Sequence, residues 1–126
     1  MNKRAEEWLR QADYDLATAE FMADGRRLFY AVFMCHLSIE KALKGLYHHK
    51  LQEVPPKVHN LIYLMTRVKI APPESIGKFI VTLNEASVAT RYPETLDKVQ
   101  REFTENAVKE ILGQTKEPLQ WIKLQF

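Results

Sequence analysis

The stretch from Arg27 to Leu51 constrains this chain more than any other part of it. It has no proline, one glycine at Gly45, and apolar residues around most of a helical circumference. At about 100° per residue, Phe29, Phe33, Leu37, Leu43, Tyr47 and Leu51 form one stripe, while Leu28, Cys35, Ile39, Ala42 and Leu46 form another. A helix apolar on that much of its surface has to be covered by neighbours on several sides, so it is expected at the centre of the fold. A narrow arc of Ser38, Lys41 and His48 is left to face water.

The rest of the chain supplies those neighbours. Ala5, Trp8, Leu9, Ala12, Leu16, Ala19 and Ala23 recur at helical spacing until Asp24-Gly25 stops the pattern. After Pro55-Pro56, residues Val58, Leu61, Ile62, Met65 and Val68 describe a short third helix, and Pro72-Pro73 ends it. A fourth helix is expected from about Glu74, with Ile76, Phe79, Ile80, Leu83 and Ser87 on one face. It should stop before Pro93, because the residue ahead of a proline disfavours helix. The stretch 93–102 reads as a polar loop. Thr104 then caps a fifth helix with a stripe of Ala107, Val108, Ile111, Leu119 and Ile122, which Pro118 should kink or divide. Trp8 and Trp121 read as packing residues. No segment alternates with period two, so the expected fold is all-α, a single domain over residues 1–126, the length that one hydrophobic core serves.

Charge and cysteine usage narrow the function classes. Eighteen basic against sixteen acidic side chains leave a net charge of +2, far below the excess of a dedicated nucleic-acid binder, so RNA would have to bind locally. Cys35 is the only cysteine, which excludes an intrachain disulfide and a cysteine-rich zinc site and points to a reducing compartment. Glu6 and Glu7 stand where a signal peptide needs apolar residues, and the longest apolar run, Leu28 to Cys35, is too short for a bilayer. A cytoplasmic protein with no membrane association is expected. His48 and His49 point about 100° apart on a helix and cannot share a metal ion without distortion. The four glycines are isolated, so no loop is built to cradle phosphate. No metal and no cofactor are expected.

The side chains that could carry chemistry fall in three places. His36, Glu40 and Lys44 are spaced i, i+4, i+8 within the stripe of Phe33, Leu37, Leu43 and Tyr47. Charges in an apolar stripe need partners, either as a structural network anchoring a neighbouring helix or as a site in which Glu40 orients a cationic group toward phosphate. Arg91-Tyr92-Pro93 places a guanidinium and an aromatic ring at a helix end. That pair can clamp phosphate and stack a base, or simply stop the helix. His59, at the start of helix three, reads as a capping or core-edge residue with acid–base chemistry as the alternative.

Taken together, these residues resemble the HEPN family. The resemblance rests on Ala5-x-x-Trp8-Leu9-x-x-Ala12-x-x-Asp15-Leu16, on Tyr30-Ala31-Val32-Phe33 leading to Glu40-Lys41-Ala42-Leu43-Lys44, on His59-Asn60-Leu61 and on Arg91-Tyr92-Pro93. It implies an antiparallel up-and-down bundle of four main helices plus a short additional one, usually a homodimer, often encoded beside a minimal nucleotidyltransferase as a toxin–antitoxin pair. Many members are metal-independent ribonucleases that use an arginine followed, after four to six residues, by a histidine. Here Leu96, Asp97 and Lys98 occupy the three allowed positions, and no histidine follows His59. Cleavage at the 2′-hydroxyl needs a group titrating near neutrality, which leucine cannot replace. The expectation is therefore a binding module partnering a small nucleotidyltransferase, with nucleotide or RNA bound through Arg91, Tyr92 and Lys44. Two alternatives stand beside it. One is a metal-independent endoribonuclease in which Arg91 combines with Glu40, His36 or His59 across a dimer cleft, and the other is a dimeric adaptor without ligand.

Overall fold

The computed structural model of the chain describes residues 1–126 and contains six helices and no strand: α1 (Lys3–Asp24), α2 (Leu28–Leu51), α3 (Leu61–Val68), α4 (Glu74–Arg91), α5 (Leu96–Glu102) and α6 (Glu105–Lys123). Polar side chains start four of them. Asn2, Asn60, Thr95 and Thr104 each accept a backbone N–H from the first turn that follows, satisfying donors that a helix leaves open. No helix is long and apolar enough to cross a membrane.

Cross-helix contacts give the topology. Ser38 opposes Ala12 and Gly45 opposes Trp8, so α1 and α2 are antiparallel. His36 meets Asn84 while Phe33 lies under Arg91, so α4 runs against α2. Lys123 pairs with Asp13 and Lys116 with Glu20, so α6 runs against α1 and alongside α2. The result is the expected up-and-down bundle of four long helices with α2 at its centre, and both α2 stripes contribute to one continuous core. Ile39, Leu43, Leu46, Leu61, Leu64, Ile80, Leu83, Leu119 and Ile122 are its largest buried apolar side chains.

Four sequence expectations change. The polar stretch 93–102 is not all loop: Thr95 caps α5, and Val99 is buried on one side of that short helix. Pro118 neither kinks nor divides the last helix, which runs unbroken to Lys123. The missing N–H strands only the carbonyl of Gln114, an exposed residue, while Thr115, Leu119 and Ile122 are buried around the proline. The arc left for water is largely covered too. Ser38 is fully buried and donates to the Ala12 carbonyl at 2.7 Å, and the Lys41 ammonium lies 2.9 Å from buried Asp15. Lastly, α3 begins at Leu61, so Val58 and His59 lie in the irregular segment ahead of it.

Candidate functional site

Glu40 projects from the middle of α2 into the space between α2, α4 and the segment entering α3. It is buried, and four nitrogen-bearing side chains converge on it. Lys44 Nζ, one turn along α2, donates to Oε2 at 3.0 Å. His59 Nδ1–H donates to Oε1 at 3.0 Å. Arg91 Nη2 lies 3.5 Å from Oε1, and His36 Nδ1 lies 3.7 Å from the same oxygen. Phe33, His36, Glu40 and Lys44 share one helical face, Arg91 comes from the last turn of α4, and Asn60 fixes His59 by capping α3 beside it. One carboxylate thus faces two permanent cations, which leaves the cluster with positive charge in excess.

Arg91 holds that excess. Its guanidinium stacks over the Phe33 ring, 4.6 Å from the centroid, with Glu40 on the inner side. Nε and Nη2 have no hydrogen-bond partner, although both are shielded from bulk water. Nη2 is directed at Glu40, 3.5 Å away, so the guanidinium is held by charge and by the Phe33 ring rather than by close hydrogen bonds. The residue opens onto a recess of about 350 Å³ lined by Tyr30, Phe33, Thr90, Arg91, Tyr92 and Pro93. Tyr92, which ends α4, is 78% exposed at the mouth of this recess. Guanidinium, phenol rings and an open concavity form the combination that binds phosphate and stacks a base.

The histidines of the cluster differ in character. His36 is fully buried, and burial pushes its pKa down to about 4 against the opposing pull of Glu40. It is therefore neutral at pH 7, and with no access to solvent it serves structure. Asn84 Oδ1 already accepts the Leu61 N–H at 2.9 Å, so the ring must donate to the same oxygen through Nε2, at 3.4 Å. His59 has the opposite exposure. Its side chain is 56% exposed, and with Nδ1–H committed to Glu40 its Nε2 is left for solvent or ligand. Lys44 is buried against Glu40 and is not free to meet phosphate. His48 and His49 stand apart from this cluster, His49 stacking on Phe126 at 5.5 Å.

The HEPN domain family matches residues 5–125. This chain belongs to the HEPN family. Two solved structures share the fold over nearly the whole chain. An archaeal HEPN homologue, ST0689, is 26% identical with a TM-score of 0.76, covering 98% of this chain and 98% of that one. TT1696 from Thermus thermophilus is 25% identical with a TM-score of 0.83, covering 99% of this chain and 100% of that one. No curated protein matches the chain.

Within this HEPN protein, the positions where the ribonuclease histidine would fall are exposed residues on the first turn of α5: Leu96, Asp97 and Lys98. The other residues that stand out in the sequence, His36, Glu40, Lys44, His59 and Arg91, come together around one carboxylate in a single chain. Asn84 is the member that sequence reasoning misses. It lies seven residues before Arg91, on the same face of α4, and an amide on a face shared with Ile80, Ser87 and Arg91 is the signal that could have found it. Asp15 also carries more than the family pattern suggests, since it is the buried anion for Lys41.

Proposed function

We propose that this HEPN protein is a binding module for the phosphate of a nucleotide or of RNA, with Arg91 as the phosphate ligand and Tyr92 and Tyr30 flanking the base. The observation that carries this reading is the Arg91 guanidinium, held by Phe33 and Glu40, short of hydrogen-bond acceptors and opening onto a concave recess. The family resemblance adds a small nucleotidyltransferase as protein partner in a toxin–antitoxin-like pair, and a homodimer as the assembly. Calorimetry with a nucleoside monophosphate and with a short single-stranded RNA tests the ligand. Wild type should bind both, and Arg91→Ala should weaken both by about tenfold or more, the loss expected for a charge-assisted contact of about 1.5–3 kcal/mol. Equal binding by Arg91→Ala would remove the proposal.

A second reading, a metal-independent endoribonuclease, is favoured by one specific contact. The exposed His59 imidazole is oriented by the buried Glu40 carboxylate, the arrangement that sets up a general base, with a guanidinium on the same oxygen. No dimer cleft is needed to assemble it. Single-stranded RNA incubated with chelator separates the two readings. The binding module leaves the RNA intact, whereas the enzyme cleaves it and loses cleavage in both His59→Ala and Arg91→Ala.

A further inference from the structure

A second cavity, of about 370 Å³, lies where the turn between α1 and α2 meets α5. Its volume falls within the roughly 300–1,000 Å³ of small-molecule sites. Buried Phe29, from the first turn of α2, and buried Phe103, from the end of α5, line it. Tyr30 and Leu96 line it as well, and at 49% and 60% exposed they leave apolar surface that nothing else in the chain covers. The Phe29 and Tyr30 rings are tilted by 38° with centroids 4.4 Å apart. Leu96 and Phe103 are seven residues apart, so one face of α5 is turned toward these rings.

The charged groups of this cavity are all of one sign. Arg26 and Arg27 reach it from the turn, and no carboxylate lines it. Arg26 is already answered by Glu105, 2.9 Å away on α6. Arg27 is exposed and makes no ion pair within the chain, so one guanidinium at the cavity is uncompensated. That combination fits a flat apolar body carrying a single negative charge. Aromatic walls favour a ring over a chain through offset and edge-to-face contacts, and the guanidinium fork matches the two oxygens of a carboxylate. We infer that this cavity is a binding site for a small aromatic carboxylate, with its ring among Phe29, Tyr30 and Phe103 and its carboxylate on Arg27.

The site is separate from the Arg91 recess, which it meets only at Tyr30. Neither Arg91 nor Glu40 lines it, so it stands whether or not Arg91 binds phosphate.

Titration of the isotope-labelled full chain with naphthoate, followed by NMR, tests the assignment. Amide signals of residues 26–30 and 96–103 should shift saturably at concentrations on the order of 1 mM or below. Arg27 and Leu96 are exposed, so R27Q and L96E should keep the wild-type melting profile. R27Q removes the counter-charge and L96E adds a carboxylate to the same cavity, so each should weaken naphthoate by about tenfold or more. Naphthylmethanol has the same rings without the charge. It should bind wild type more weakly than naphthoate does and should be indifferent to R27Q. Octanoate, with the same charge on a chain, should also bind more weakly. R91A should bind naphthoate as wild type does, whatever becomes of its nucleotide binding, which keeps the two sites distinguishable. No saturable shift, shifts centred outside these residues, naphthoate binding unmoved by R27Q or lost in R91A, or tighter binding of naphthylmethanol or octanoate would each overturn the assignment.

Discussion

Removing the Glu40 carboxylate would leave Lys44 and Arg91 in a largely buried pocket with no anion between them, and His59 without its acceptor. Stranding buried cations is far costlier than deleting a surface pair, so Glu40→Ala should destabilise by about 3–5 kcal/mol in urea titrations. His36 makes a pH prediction with a definite sign. Its folded pKa, about 4, lies below the unfolded value of 6.5, so protonation favours the unfolded chain. Stability should be unaffected by this group above pH 6.5, fall by about 3 kcal/mol between pH 6.5 and 4, and level off below that. His36→Gln should flatten that part of the profile in thermal melts recorded against pH. Burial also raises the Cys35 thiol to about 11, so it should resist thiol reagents at pH 8 until the chain is denatured. Glu40 and Lys44 were legible because charge in an apolar stripe requires a partner. Their partners His59 and Arg91 could be grouped with Glu40 only as an alternative, across a dimer cleft, since sequence alone does not say which distant helix end of the same chain returns to a given turn.

At the level of elements, Gly45 shows how closely α1 rides on α2. A Cβ there would lie 2.9 Å from Trp8 Cβ and 3.3 Å from the Ala5 carbonyl oxygen. Alanine is worth up to about 1 kcal/mol over glycine inside a helix, yet the overpacking of about 1–3 kcal/mol should win, leaving Gly45→Ala less stable. A higher melting temperature for that variant would contradict the close approach. Lys69, the exposed end cap of α3, has φ 55° and ψ 44°, a left-handed geometry that glycine adopts freely. Lys69→Gly should therefore gain about 0.5 kcal/mol, measurable as a raised urea midpoint with unchanged slope. The long helices could be read from apolar periodicity because each buries a full stripe. Helix α5 could not, because its seven residues bury Val99 alone. Pro118 misled because a local rule about proline says nothing of the packing that holds α6 on the core.

For the whole molecule, the all-helical bundle with α2 at its centre followed from one segment of sequence, Arg27 to Leu51. A helix covered on nearly all sides leaves few other arrangements for five neighbours. The site was less legible as a unit, because it joins α2, the entry to α3 and the end of α4 through side chains more than 15 positions apart. The hairpin of α1 and α2 also has a kinetic consequence. Gly25-Arg26-Arg27 closes it with minimal loop entropy, so its contacts form between segments already near each other in the chain. Contacts of α2 with the segment that follows α6, such as His49 with Phe126, must wait for parts of the chain far apart in sequence to meet. Stopped-flow refolding should therefore slow when the hairpin is weakened by Ser38→Ala, which removes the bond to the Ala12 carbonyl. Ile122→Val, in α6, should leave refolding nearly unchanged and accelerate unfolding if α6 docks after the hairpin has formed. The hairpin is then the nucleus on which the remaining helices condense.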